Sequence, residues 1–325
     1  MIGARQIMTR SATALLVFLA GTVAVTPPLA AGEKEKAPGL ITLEDVGLSL
    51  ERARFLPFEE RTGMLEKAAG AMVEILDSDL PKEKRSKAIF LLAEIDFALG
   101  RYESAADRYR EAGDRDKEKI YRDDAAAARI LAMEASGRDE EAAKEWNKWL
   151  KKYSGSPLEP EAMLARAWNA LRRGDISGAS ALLDDTGTRW PWMLSDRRVV
   201  LARSAMAYLG DCPGEALGML EALEDSPAIV YMRALCHEAL GETLKAAARF
   251  QETAERWPHS TLRDPAMFAK ADIFLSAGAY SSAAEEMERV VERSGREDIR
   301  GEAALRRAIA VYLDGDIDGA VGQLR

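Results

Sequence analysis

Along this chain, one apolar helical segment after another is closed by a glycine: Gly100, Gly137, Gly174, Gly210, Gly241, Gly278 and Gly315. The steps between them are 37, 37, 36, 31, 37 and 37 residues. Glycines placed by chance do not form such a ladder, and the surrounding residues keep step with it. Ala105, Ala142, Ala179, Ala246, Ala283 and Ala320 stand five residues after a glycine; only Gly210 breaks the series, with Ala216 one residue late. Nine residues after it come Tyr109, Trp146, Leu183, Met219, Phe250 and Met287, large groups suited to filling space between neighbours. Upstream, Ala88, Ala125, Ala162, Ala266 and Ala303 lie twelve residues before a glycine, and Ala93, Ala167, Ala234, Ala271 and Ala308 lie seven before, where small side chains let helix axes approach closely.

Sixteen residues after the glycine stand Tyr153, Trp190 and Trp257, and seventeen after stand Pro191, Pro227 and Pro258, so a second helix is expected to stop there. Each unit thus reads as helix, glycine turn, helix, proline-containing link. A lone hairpin of this kind cannot bury its apolar face, so the units must stack.

The segments Leu99-Gly-Arg-Tyr-Glu-Ser-Ala-Ala106 and Leu240-Gly-Glu-Thr-Leu-Lys-Ala-Ala247 resemble the turn and second helix of tetratricopeptide repeats. The links Trp257-Pro-His-Ser260 and Trp190-Pro-Trp192 resemble junctions in repeats of bacterial envelope proteins. The resemblance covers roughly residues 87–325. It departs from the family's usual unit by a few extra link residues, except before Ala228, where the link is short. It implies an all-α fold, a right-handed α-solenoid of stacked antiparallel hairpins whose first helices line a concave groove. Carried onto this chain, the groove positions are Phe90, Leu131, Leu164, Trp168, Val200, Tyr231, Leu235, Phe268, Leu305 and Ile309. An amphipathic helix or extended peptide of a protein partner could bury part of that row; an array that winds tightly would instead bury the row against itself.

Gly63 lies 37 residues before Gly100 and is followed in step by Ala68 and Met72, which suggests a degenerate first repeat within 43–86, with Pro57 interrupting its first helix. Residues 32–42 read as a charged linker. Residues 1–31 have the form of a signal peptide or N-terminal anchor: Arg5 and Arg10, an apolar run from Ala12 to Val25, then Pro27, Pro28, Leu29, Ala30 and Ala31. Export to the periplasm or cell envelope is therefore expected, with the N-terminal segment able to bring the protein against a membrane. The final unit reaches Arg325 only ten residues into its second helix, without a polar capping helix. Continuation beyond residue 325, or pairing of the open end in a homo-oligomer, is the expectation from that pattern.

Composition narrows the chemistry. A net charge of −9 argues against nucleic-acid binding, which needs a surplus of Lys and Arg on one face. His237 and His259 have no partners at a spacing that suggests nucleophilic or metal chemistry, and His237-Glu238 fails as a metalloprotease motif because the fifth position is Gly241. No catalytic, cofactor-binding or metal-binding residue is expected. Asp314, Asp316, Asp318 and Gly319 imitate a calcium loop, but Arg325 stands where the bidentate acid belongs. Arg129, Arg166, Arg233, Lys270 and Arg307 recur eight residues before the glycine and read as long stems packed with their heads in water. Cys212 and Cys236 lie at helix ends expected to adjoin, so a disulfide between them is open, against two free thiols. The functional expectation is a non-catalytic scaffold for protein–protein interaction. The alternatives are a self-assembling structural component of an envelope complex, or the accessory arm of an enzyme.

Overall fold

The computed structural model describes residues 42–53, 56, 58–116 and 121–323. The expected signal segment, nearly all of the charged linker and Pro57 lie outside the described residues. Sixteen α-helices and no strand are present among the described residues. The chain divides at Pro191–Trp192 into two compact units, and each holds four helical hairpins.

In the N-terminal unit the hairpins are α1 (Leu43–Ala53) with α2 (Phe58–Asp77), α3 (Lys82–Ala98) with α4 (Tyr102–Arg115), α5 (Arg122–Ala135) with α6 (Asp139–Lys152), and α7 (Glu159–Arg172) with α8 (Ile176–Arg189). In the C-terminal unit they are α9 (Arg197–Leu209) with α10 (Pro213–Glu221), α11 (Pro227–Ala239) with α12 (Thr243–Arg256), α13 (Arg263–Ser276) with α14 (Tyr280–Arg293), and α15 (Glu297–Leu313) with α16 (Ile317–Gln323).

The ladder glycines end the first helices by turning left-handed. Gly100, Gly137, Gly174, Gly241, Gly278 and Gly315 have φ between 75° and 101°, a region open to glycine because it carries no Cβ. At Gly137 the amide donates to the Glu134 carbonyl and the next amide, Arg138, to the Met133 carbonyl, both at 2.9 Å, closing off the last turn. Gly210 is the exception: its φ is −80°, and Asp211 takes the left-handed place with φ 65°. Counted from Asp211, the irregular steps of 36 and 31 become 37 and 30, and Ala216 falls into register five residues on. The large residue nine positions on is then Leu220, fully buried at 0 % exposure, rather than the expected Met219, which is only partly buried.

The short step also has a different origin from the one expected. Helix α10 has nine residues, whereas α4, α6, α8, α12 and α14 have fourteen each, so most of the missing length is helix rather than link. Pro227 does not end that helix but opens the next one, where its missing N–H costs nothing and the Ser226 hydroxyl accepts from Ile229 N. Arg233 finishes the truncated helix: its Nη2 donates to the carbonyls of Leu220 and Leu223, each at 2.8 Å, while Nη1 pairs with Asp225 at 2.7 Å. Elsewhere the second helices end as expected, with Tyr153, Trp190 and Trp257 as the closing residues. A cation from the last turn lies over each ring, Lys152, Arg189 and Arg256 at 5.0, 4.3 and 4.6 Å from the centroid.

Every alanine five residues after the left-handed position is buried, as is every large residue nine after it through Met287. In the N-terminal unit one core gathers Tyr109, Trp146, Trp149 and the alanines of α3 to α7, and a second gathers Val46, Leu65, Met72 and Ile95. In the C-terminal unit Ala271, Met287, Val290 and Ala303 close α13, α14 and α15 together. The first hairpin departs from the ladder. Gly63 lies inside α2 and makes no turn; Ala68 and Met72 are nevertheless buried in step.

Candidate protein-binding surface

Positions ten, six and three residues before the left-handed residue are spaced i, i+4 and i+7, so on each first helix they share one stripe. The stripe reads Phe90-Glu94-Phe97 on α3, Leu164-Trp168-Leu171 on α7, Tyr231-Leu235-Glu238 on α11, Phe268-Asp272-Leu275 on α13 and Leu305-Ile309-Tyr312 on α15. On α9, counted from Asp211, it is Leu201-Ala205-Tyr208, so the sequence-expected Val200 sits one place off it and is partly exposed.

Of the ten residues expected to line a groove, Phe90, Leu131, Leu164, Trp168, Tyr231 and Leu235 are buried core and offer no surface. On α3 and α11 the stripe faces the hairpin's own second helix, and on α3 also the following hairpin. Phe90 meets Tyr109 of α4 edge-on at 5.3 Å and Tyr121, which opens the next hairpin, at 6.3 Å. Tyr231 meets Phe250 of α12 edge-on at 5.1 Å. Phe268 stays partly exposed beneath the Arg306 guanidinium, 5.9 Å from its ring centroid. Leu305 and Ile309 are 46 % and 40 % exposed, and Tyr312, which sequence reasoning missed, is 57 % exposed. Its signal was present: 305, 309 and 312 are i, i+4 and i+7 of one helix.

Several carboxylates that sink into the first helices find partners. Glu94 accepts from the Tyr109 hydroxyl, whose ionisation is pushed well up by burial and by that carboxylate. Glu134 accepts from Trp146 Nε1 at 2.9 Å and faces Arg172 at 2.8 Å; Arg172 also reaches Asp139 at 2.8 Å. Burial raises the Glu134 carboxyl, and the Arg172 charge draws it back. Asp96 pairs with Arg108 and Asp272 with Arg306. Burial raises Asp272 too, against the pull of Arg306.

Three of the cations eight residues before the turn pair with carboxylates: Arg129 with Glu145 at 3.3 Å, Lys270 with Glu286 at 2.9 Å and Arg307 with Glu288 at 2.5 Å. Arg129 and Lys270 bind carboxylates of their own hairpins' second helices, and Arg307 binds one on the second helix of the hairpin before it. The calcium-like run resolves as a helix cap, with Asp316 accepting from Gly319 N at 2.9 Å, as Asp175 accepts from Gly178 N at 2.9 Å. Among the described residues, no group of three or more His, Cys, Asp and Glu side chains is arranged to hold a metal ion.

Of the two arrangements the sequence leaves open, Cys212 and Cys236 stand here as separate free thiols. Cys236 points into the core at 0 % exposure, and burial pushes its thiol up to about 12. Cys212 caps α10 on an exposed turn. A cleft of about 350 Å³ opens beside the shortened α10, bordered by Leu217, Glu224, Arg233, His237 and Arg249. Its cationic and imidazole groups are engaged within the protein, His237 Nδ1 with Glu242 at 2.6 Å and Arg249 with Glu252 at 2.6 Å.

Residues 229–260 match the family model described as tetratricopeptide repeat. No curated protein sequence matches. Among solved structures, a tetratricopeptide repeat protein from Parabacteroides merdae is similar, with a TM-score of 0.58 and 14 % identity over 80 % of this chain and 97 % of that one. Yeast Tom70 is similar with a TM-score of 0.60 and 14 % identity over 93 % of this chain and 70 % of that one. At such identity the likeness is one of fold alone. With the ladder, the stacked hairpins and a matched repeat at 229–260, the chain is an α-solenoid of the tetratricopeptide-repeat type.

Proposed function

We propose that this protein is a non-catalytic scaffold that takes a segment of a protein partner on the first-helix stripe of its C-terminal unit. The observation that carries the reading is the accessibility of Phe268, Leu305, Ile309 and Tyr312 on α13 and α15, where the same stripe in α3, α5 and α7 is sealed at Phe90, Leu131, Leu164 and Trp168. Apolar groups at i, i+4 and i+7 with charged neighbours suit an amphipathic helix or an extended peptide. Substituting Leu305→Ser and Ile309→Ser together removes the apolar anchor without touching the core. In the native host, chemical crosslinking and mass spectrometry should recover a partner with the wild-type chain and lose it with this variant at unchanged helicity. Unchanged recovery rejects the stripe.

The protein acts, in this reading, in the cell envelope after export. Residues 1–31 support it, with a basic start, an apolar run and small residues before position 32. No helix among the described residues is long and apolar enough to cross a membrane. Sequencing the N-terminus of protein recovered from fractionated cells tests this. A start near residue 32 in the envelope fraction supports export, and a cytoplasmic chain that still begins at Met1 overturns it.

A further inference from the structure

Glu238 differs from the paired carboxylates of the first helices described above. It lies in the last turn of α11, on the stripe of Tyr231 and Leu235, and no hydrogen bond or ion pair reaches its carboxylate among the described residues. Glu94, Asp96, Glu134 and Asp272 all have one. Beside it on α9 the Tyr208 hydroxyl is buried and makes no hydrogen bond either. The two groups act on each other: the charge of Glu238 helps to raise Tyr208, after burial. On the other side, Asp272 of α13 adds negative charge, so that burial and this neighbour together raise Glu238 to about 7. Arg306, the cation that pairs with Asp272, also binds Glu302.

A carboxylate at this place is costly three times over. It is mostly desolvated, it faces a second carboxylate, and it sits at the carbonyl end of a helix, whose dipole disfavours negative charge. A buried hydroxyl without a partner adds to the cost. One chemistry relieves all of these: a cation carrying N–H donors, which pairs with Glu238, can also donate to the Tyr208 oxygen, and is favoured by the helix end. Glu238 is partly exposed, so such a group can reach it from solvent.

We propose that Glu238 and Tyr208, with Asp272 behind them, form a recognition site for a lysine or arginine side chain of the protein partner. This assignment rests on the scaffold reading above and names what its partner must carry. A partner segment with an apolar group for Phe268 and Leu305 and a basic residue for Glu238 would satisfy the stripe from both sides.

The test uses the intact protein and small probes, so it needs no partner. N-acetyl-lysine methylamide and N-acetyl-arginine methylamide are titrated at constant ionic strength, with N-acetyl-norleucine methylamide as the uncharged control. Carbon-13 NMR follows the Glu238 carboxyl and the Tyr208 ring. At least one cationic probe should shift both signals saturably, with the control about tenfold weaker, as expected for one charge-assisted hydrogen bond. In Glu238→Gln the Tyr208 response should vanish. No saturable shift with either cation, or an equal response to the norleucine compound, overturns the site. The wild-type titration decides even if the variant folds poorly. Loss of crosslinking in Leu305→Ser/Ile309→Ser speaks to the scaffold reading alone, so the two failures are distinguishable.

Discussion

Asp211 holds a backbone conformation that six of the other hairpins give to glycine. An L-residue pays for that region through its Cβ, and aspartate tolerates it better than most. Asp211→Gly should therefore stabilise the protein by about 0.5 kcal/mol, and Gly174→Ala should destabilise it by about 1 kcal/mol, both measured by urea denaturation. The same residue explains where counting glycines goes astray: Gly210 sits next to the turn, so the register slides by one and points to Met219 and Val200 in place of Leu220 and Leu201. The late Ala216 was the visible trace of that slip. Glu238 gives a pH signature. Its carboxyl is raised from 4.5 to about 7 in the folded protein, so its contribution to stability is complete below pH 4.5 and is lost as pH rises through 7. Between those values the wild type should lose about 2–3 kcal/mol relative to Glu238→Gln, read from denaturation curves at stepped pH. Parallel pH profiles for the two proteins would contradict the unpaired, buried carboxylate.

At the scale of the helix pair, buried charge sets much of the local specificity. Glu134, Arg172 and Asp139 tie α5, α6 and α7 together, with Trp146 donating into the same carboxylate. Arg172→Ala strands Glu134 in the core and should cost about 3–5 kcal/mol. Replacing Glu134 and Arg172 both by leucine should cost much less, because no charge is left unpaired; a double-mutant cycle measures the difference. The hairpin α9–α10 offers a second check. A thiol reagent should modify Cys212 in the native protein and Cys236 only after unfolding, since one is exposed and the other sealed in the core. The shortening itself was half legible. A step six residues too small was plain in the glycine ladder, but nothing in the glycines said that helix α10 rather than the link had lost them, because the compensating cap comes from Arg233 on the next helix.

Over the whole molecule, the repeat was readable because its demands are local and recur: a left-handed turn, a small residue where helices cross, a large one that fills the gap. The binding surface was less readable, because the apolar stripe of a first helix looks alike whether the next hairpin covers it or leaves it open. Phe90 and Trp168 differ from Leu305 and Ile309 only in what packs against them. The polar member of the stripe was missed for a related reason: Glu238 follows a histidine in sequence and draws attention to a failed metal motif, while its meaning lies in Tyr208 and Asp272 on two other helices. The most direct test of the account is a photo-crosslinker placed in turn at Phe268, Ile309 and Leu244 in the native host. Leu244 is 82 % exposed on the second helix α12 and serves as an equally apolar control. The account predicts one shared partner from Phe268 and Ile309 and none from Leu244; the same partner from Leu244, or none from the stripe, would contradict it.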